Sequence, residues 1–222
     1  MIPYKLVRST RKTIAIYVSG ADGQVEVRAP RTAALAQIQA FVDSKAAWIA
    51  QKQAALRASA PPARAFNTGE RFYYLGETYP LEIVPHNSPA LRFTGGKFLL
   101  ASAAQPRARE TFTRWYRAQA RAYLQKRVAE LSAFYNIGYT KIRCSSARTR
   151  WGSCSSTGTL SFTWRLIMAP PAVIDYVIVH ELAHVLHKNH SRRFWEQVAA
   201  MMPDYKQRAA WLKQHGRQIA AL

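Results

Sequence analysis

The residues best suited to chemistry lie in one short segment with the pattern H-E-x-x-H, formed by His180, Glu181 and His184. On a helix, residues four positions apart lie one turn apart on the same face, which is the spacing a tetrahedral zinc ion requires of two helical ligands. Glu181 lies outside this ligand pair but is close enough to reach a water on the metal. The segment therefore predicts a zinc hydrolase with a glutamate base.

Two histidines do not hold a zinc ion tightly, so the site requires a third protein ligand. His190 follows His184 by six residues, the spacing of sites in which the chain turns back to the metal after the helix. The glycine that makes this turn in the related pattern is replaced here by His187, but Asn189 tolerates the left-handed conformation that ends a helix. We expect His190 to be the third ligand, with His187 and Glu196 as alternatives.

Such a site predicts hydrolysis of a peptide bond by a metal-activated water, with Glu181 as general base. The charge on the transition-state oxyanion needs a second donor besides the metal. The sequence does not choose among the side chains that could contact the transition state or the substrate, which are His187, Tyr176, Arg148, Arg150 and Trp151. Asp175 could support a ligand imidazole, but compensation of the helix dipole is its simpler role.

The helix that carries these groups is predicted to begin at Pro170-Pro171, since proline fits the first turn of a helix but not its interior. Apolar residues cover most of its surface, and this composition indicates a buried helix. Burying imidazoles and a carboxylate without partners costs on the order of several kcal/mol. A zinc ion would satisfy them, and we expect the helix to end near Asn189.

The first part of the chain, residues 1–104, is predicted to be mostly antiparallel sheet with one inserted helix. Alternating apolar residues flank turn signals at three places. The three expected hairpins pair residues 13–18 with 24–28, 71–75 with 78–84, and 91–94 with 97–100. Apolar spacing of three and four residues predicts the helix from Thr32 to Leu56, and a proline-containing connector at 58–65 follows it.

Residues 105–222 are predicted to form the catalytic domain. A long helix is expected from Pro106 to about Tyr135, and further helices are expected after Ser191 and from Asp204 to about Leu222. Two strands, at 139–147 and 159–165, are joined by a long loop that mixes arginines with Trp151 and Cys154, and such loops tend to be functional.

That strand pair directly precedes the histidine helix, so we expect it to lie beside the cleft and to offer an edge to an extended peptide. The predicted fold class is α+β. It combines a zincin-like metallopeptidase core, containing the histidine helix and an antiparallel sheet, with the mostly β region before it.

The charge of the chain predicts an acidic partner. The 222 residues include 32 Lys and Arg against 12 Asp and Glu, a formal net charge of +20. Nucleic acid is the first candidate partner and an anionic membrane surface the second, while a merely solvated basic surface is the alternative. Arg107, Arg114 and Arg121 recur every seven residues on the long helix and form a basic stripe, with Arg117 and Arg127 nearby.

The expected location is the cytoplasm. We find neither the apolar core of a secretory signal nor a run of about 18 apolar residues. Cys144 and Cys154 are the only cysteines, and in a reducing compartment they are expected to be free thiols.

Several segments together resemble one known family. They are Arg150-Trp151-Gly152-Ser153-Cys154, residues 170–184, Asn189-His190-Ser191 and Phe194-Trp195. They resemble the YgjP-like metallopeptidase domain family, which is similar to the SprT-like and WLM peptidases, some of which act on proteins attached to DNA. The resemblance covers nearly the whole chain and implies zinc held by His180, His184 and His190, with Glu181 catalytic and a protein or peptide as substrate.

Two further functions remain open at this point. Zinc hydrolases can also attack phosphorus, and the many arginines suit phosphate, so a nucleotide or phosphoanhydride hydrolase is the second hypothesis. The third is a nucleic-acid-associated module with a structural zinc. A structural zinc is usually closed by four protein ligands, so Glu181 beside an open metal position favours an enzyme.

Overall fold

The first of two structural units, Met1–Ala63, contains a three-stranded sheet and two helices. The structure is a computed structural model that describes residues 2–19, 23–58 and 64–219. The strands are β1 (Lys5–Ser9), β2 (Ala15–Ser19) and β3 (Gln24–Pro30). Their order is β1-β3-β2, with β1 parallel and β2 antiparallel to β3. The predicted first hairpin is thus present as β2 and β3, while residues 20–22 of its turn lie outside the described residues.

The prediction of a single helix from Thr32 to Leu56 is wrong, because the segment forms two helices, α1 (Leu35–Ser44) and α2 (Ala46–Ala58). Lys45 interrupts the helix, with φ −106° and ψ 10°. Apolar spacing does not reveal this break, since buried residues on both sides pack in one cluster with β3. Residues 59–63 of the predicted connector lie outside the described residues.

The second unit, Arg64–Leu222, begins with a four-stranded sheet. Its strands are β4 (Arg71–Tyr74), β5 (Glu77–Val84), β6 (Leu91–Thr94) and β7 (Lys97–Ala101), in the order β4-β5-β7-β6. The two predicted hairpins are present as β4-β5 and β6-β7. However, β5 and β7 are parallel, so the sheet is mixed rather than antiparallel.

The long helix α3 (Ala108–Tyr135) shares its core with this sheet. It follows a 3₁₀ segment that contains Pro106, and it ends as predicted at Asn136, whose φ of 52° is left-handed. Phe112 of α3 stacks on Phe72 of β4 with ring centroids 4.3 Å apart. The ring centroid of Phe98 of β7 lies 5.3 Å from that of Phe112. Because sheet and helix share these aromatic contacts, the units divide between residues 63 and 64, and not near residue 104 as predicted.

A third sheet lies between α3 and the histidine helix along the chain. Its strands are β8 (Lys141–Ser145), β9 (Gly152–Cys154) and β10 (Thr159–Thr163), in the order β8-β10-β9. The prediction of a purely antiparallel sheet here is wrong, because β10 is parallel to β8 and antiparallel only to β9. The long loop between the two predicted strands supplies β9, which pairs with β10 and forms an edge of this sheet. Cys144 and Cys154 are both free thiols, as expected.

Three helices complete the second unit: α4 (Pro171–Leu186), α5 (Arg192–Met201) and α6 (Tyr205–Ile219). The predicted burial of the histidine helix α4 is confirmed, since most of its apolar side chains belong to the core. Asp175 of α4 accepts two hydrogen bonds from the guanidinium of Arg127 on α3, at 2.7 and 2.8 Å. This ion pair gives Asp175 a role in joining two helices, in place of the dipole compensation that we expected.

The end of α4 differs from the prediction. The helix stops at Leu186 because His187 is extended, with φ −128° and ψ 104°, so Asn189 does not terminate it. At the end of α6, residues 220–222 lie outside the described residues. In the parts of the chain that the structure describes, no helix combines the length and the apolar character needed to cross a bilayer.

Candidate metal centre

Three histidines meet at the end of α4. His180 and His184 lie one turn apart on the helix, and His190 reaches them from the loop before α5. Nε2 of His180 is 3.1 Å from Nε2 of His190, and a ligand nitrogen from each of the three rings lies within 4.8 Å of the others. In a tetrahedral zinc site with Zn–N bonds of 2.0–2.1 Å, neighbouring nitrogens are about 3.4 Å apart. The spacing of the three imidazoles therefore fits a tetrahedral ion.

His187 contributes its backbone to this site. Its carbonyl oxygen lies 3.0 Å from Nδ1 of His184, so a neutral His184 can donate its Nδ1 proton there and keep Nε2 free for a metal. In the cluster of described residues that could hold a metal ion, the third histidine is His190 and not His187. Glu196, the other alternative ligand, forms a surface ion pair with Arg192 at 2.7 Å. The structure thus brings together the three histidines that the sequence favoured.

One aromatic ring supports all three imidazoles. Phe194 of α5 is fully buried, and its ring centroid lies 4.4 Å from that of His184, 4.9 Å from His180 and 4.8 Å from His190. Because close-packed rings restrict one another's rotation, Phe194 holds the imidazoles in their common orientation. The sequence placed Phe194 in a helix expected after Ser191, and it did not show this contact with the site.

The side chain of Glu181 is buried beside the histidines, with 5% of the residue exposed. Burial raises the pKa of Glu181 to about 8, and the nearby guanidinium of Arg150 partly opposes this shift. Burial also lowers the pKa of His180 to about 4, and His184 and His190 lower it further. The imidazole of His180 is therefore neutral at pH 7, which is the form that binds metals.

Two polar atoms at the centre are buried without a hydrogen-bond partner within the described part of the chain. They are Oε2 of Glu181 and Nδ1 of His180. A buried polar atom without a partner costs free energy unless a water, a proton or an ion satisfies it. The all-nitrogen donor set and the unpartnered carboxylate oxygen both fit a bound cation with a water beside it.

Gly152 of β9 lies directly against Glu181. A Cβ atom at this position would be 2.7 Å from Cγ and 2.8 Å from Cδ of Glu181, and it would also collide with Oε1. Real Cβ atoms essentially never come this close, so a residue with a side chain would displace the carboxylate. The sequence placed Gly152 in a loop beside the site but did not show why glycine is needed there.

We expect Gly152→Ala to lower any activity that depends on Glu181 by about 100-fold, since a displacement of about 1 Å is enough for a loss of this size. The overpacking should also destabilise the fold by about 1–3 kcal/mol. Activity per folded molecule and urea unfolding measure the two effects. Gly138→Ala is the matched control, because a Cβ at Gly138 meets nothing within 4 Å. Equal behaviour of the two variants would contradict the contact.

The remaining predicted site residues divide into two groups. Tyr176 and Arg150 lie near the centre. The ring centroid of Tyr176 is 5.9 Å from that of His180, and the positive charge of Arg150 lowers the pKa of Glu181 against the effect of burial. The ring of Trp151 packs close to Gly216 of α6. A Cβ atom added to Gly216 would lie only 3.0 Å from Cζ2 of Trp151. Arg148 lies close enough to Arg165 to affect its charge: burial lowers the pKa of Arg165, and the positive charges of Arg148 and Arg117 lower it further. The structure thus leaves Tyr176 and Arg150 as neighbours of the candidate metal centre.

In metal-free protein we expect Glu181→Gln to be more stable than the wild type at pH 7, by up to about 3 kcal/mol. The pKa of Glu181 rises from 4.5 to about 8 on folding. Stability from a raised pKa is fully present below the unfolded value and is lost as the pH rises through the folded value. The advantage of the neutral variant therefore opens above pH 4.5 and is complete above about pH 8. Urea unfolding in a chelator at three pH values measures it, and a gap that does not change with pH would contradict the shift.

Comparison with known proteins gives one match that covers most of the chain. The model of the YgjP-like metallopeptidase domain matches residues 12–215. No curated protein shows significant similarity to the chain. A solved structure, the metallopeptidase zymogen of Pyrococcus abyssi abylysin, aligns with 41% of this chain and 93% of its own at 17% identity and a TM-score of 0.37, which is too low to support an argument. The family match confirms the resemblance seen in the sequence, and the chain belongs to the YgjP-like metallopeptidase domain family.

Proposed function

We propose that the protein is a zinc-dependent metallopeptidase in which His180, His184 and His190 hold the metal and Glu181 is the general base. One observation carries the proposal: the three imidazoles converge beside a buried carboxylate whose Oε2 has no hydrogen-bond partner in the described structure. Membership of a metallopeptidase family supports the reaction class. Three imidazoles suit zinc, which when bound acidifies water and polarises a carbonyl group.

Glu181 moves the protons of the reaction. Its carboxylate takes a proton from the attacking water and delivers it to the nitrogen of the leaving amine. A pKa of about 8 in the metal-free site places this group near the pH at which a base and an acid are both effective. Gly152 leaves room for the carboxylate, and the buried position of Glu181 limits competition from bulk water.

The substrate binds along β9 in this proposal. This strand is at the edge of its sheet, and its first residue, Gly152, contacts Glu181. An extended peptide that pairs with such an edge gains main-chain hydrogen bonds and passes the reacting groups in a fixed register. The edge predicted to receive a peptide is therefore supplied by the loop strand and not by the two longer strands of the prediction.

Tyr176 and Arg150 are the two proposed donors to the oxygen of the scissile carbonyl. Burial, Tyr205 and Glu181 all raise the pKa of Tyr176, so its hydroxyl stays protonated and can donate a hydrogen bond. Arg150 carries a positive charge close to Glu181. Each can stabilise the negative charge that develops on this oxygen.

A side-by-side assay tests the proposed function. Wild-type protein is incubated with a quenched fluorescent peptide library and, separately, with nucleoside triphosphates, before and after treatment with a chelator. We expect cleavage of peptides, its loss on chelation and its recovery when zinc is restored. Hydrolysis of triphosphates without peptide cleavage would contradict the proposal, as would peptide cleavage that survives complete removal of the metal.

A further inference from the structure

Two arginines bind Ser146, in the loop between β8 and β9, and a third arginine acts on one of them. Arg117 of α3 donates a hydrogen bond to the hydroxyl of Ser146. Arg165, in the 3₁₀ segment Trp164–Met168, donates one to the carbonyl oxygen of Ser146 at 3.4 Å. Arg148 follows Ser146 by two residues, and it acts together with Arg117 and with burial to lower the pKa of Arg165. Three segments distant in sequence thus bring their positive charges to one place.

This arrangement is built into the fold. Arg165 is only 8% exposed, and its guanidinium lies 4.2 Å above the ring of Trp164, which sets its plane. Arg148 and Arg117 lie close enough to Arg165 to repel its charge, and such repulsion is stronger where burial weakens screening by solvent. An oxyanion that accepts hydrogen bonds from the exposed guanidinium groups of Arg117 and Arg148 offsets this repulsion.

Further arginines extend the positive surface along α3. Burial raises the pKa of the Cys144 thiol of β8, and the positive charges of Arg121 and Arg117 nearby partly oppose this shift. Arg114 lies one turn before Arg117 and, with Arg92 and Arg107, lines an open cleft of about 820 Å³ that also contains Glu110. In the other direction, the loop runs from Ser146 to Arg150, whose positive charge lowers the pKa of Glu181. A positively charged surface therefore leads from the cleft to the candidate metal centre.

We propose that the exposed side chains of Arg117 and Arg148 form a site for the phosphodiester groups of a nucleic acid, with Arg114 and Arg121 continuing it along α3. Forked guanidinium groups match the geometry of the phosphate oxygens, which can accept two parallel hydrogen bonds from one side chain. Arg114 and Arg121 are about 10 Å apart on a rigid helix, which suits a polymer with regularly spaced charges. The formal net charge of +20 favours the same partner.

The site needs no metal and goes beyond the proposed peptidase function, so its test is made in a chelator. Fluorescence anisotropy measures the binding of the full chain to a labelled 20-base-pair DNA duplex over a range of salt concentrations. We expect the double variant Arg117→Gln/Arg148→Gln to bind about tenfold more weakly than the wild type at about 0.1 M salt. Its slope of log K against log salt should fall by about 2, since two phosphate contacts are lost.

The matched control is Lys52→Gln/Arg57→Gln, which removes the same charge from the exposed surface of α2. An equal loss of affinity in both double variants would overturn the site, because only overall charge would then matter. Displacement of the duplex by polyglutamate of equal charge and with equal efficiency would overturn it in favour of an acidic polypeptide. Should the glutamine variant fail to fold, Arg117→Lys/Arg148→Lys keeps the charge but removes the forks, and affinity equal to that of the wild type would then refute the proposal.

Discussion

Glu181→Gln is expected to lower kcat for peptide hydrolysis by about 10²- to 10⁴-fold while the protein keeps its metal and its fold. Glutamine has nearly the same shape as glutamate and fits the pocket that Gly152 leaves open. Its amide does not accept the proton of the attacking water, so the general base is lost. The three histidines are unchanged and should hold zinc as before. Steady-state kinetics, with the zinc content measured on the same sample, provide the test.

This loss should not result from unfolding, because the neutral variant is expected to be the more stable protein when the metal is absent. Higher stability together with lower activity is typical of a group whose burial serves chemistry at a cost in stability. Glu196→Gln is the control: it removes one carboxylate from the neighbouring helix α5, where Glu196 is paired with Arg192 on the surface. Full activity in zinc-loaded Glu181→Gln protein would remove Glu181 from the role of base.

His190→Ala is expected to weaken zinc binding by more than about 100-fold and to abolish hydrolysis. Loss of a residue that only orients a ligand costs about 10- to 100-fold in affinity, so loss of a direct ligand should exceed that range. The 3.1 Å separation between Nε2 of His190 and Nε2 of His180 places His190 among the direct ligands of the proposed site. Competition with a chromophoric chelator measures the affinity.

His187→Ala is the matched variant for this prediction. Its carbonyl oxygen, which lies 3.0 Å from Nδ1 of His184, belongs to the backbone and is retained in alanine. We therefore expect zinc affinity to change by less than about tenfold. Similar losses in His187→Ala and His190→Ala would show that both imidazoles contribute, and a larger loss in His187→Ala would assign the third ligand to His187.

Some of the fold followed directly from local sequence signals. The hairpin of β6 and β7 was predictable because Gly95 and Gly96 adopt φ of 55° and 71°, which most other residues avoid. The end of α3 at Asn136 was predictable for the same reason. The break at Lys45 was not, since apolar residues on both sides of it pack in the same cluster and the periodicity continues across it.

Strand pairing and unit boundaries depended on contacts between distant segments. The sequence showed two strands on either side of a long loop, but not that the loop would supply β9 and so make β8 and β10 parallel neighbours. Nor did it show that the sheet of β4 to β7 shares an aromatic core with α3, which moved the boundary to residues 63 and 64.

The sequence by itself determined the centre of the candidate site, because His180, Glu181 and His184 belong to one helix whose geometry sets their relative positions. It also favoured His190 through spacing alone. Only the tertiary structure decided that His187 leaves the helix in an extended conformation, that Gly152 adjoins the carboxylate and that Phe194 packs on all three imidazoles. Each of these contacts joins different elements of the fold. Their distances depend on how those elements pack, and a pattern within one segment carries no information about that packing.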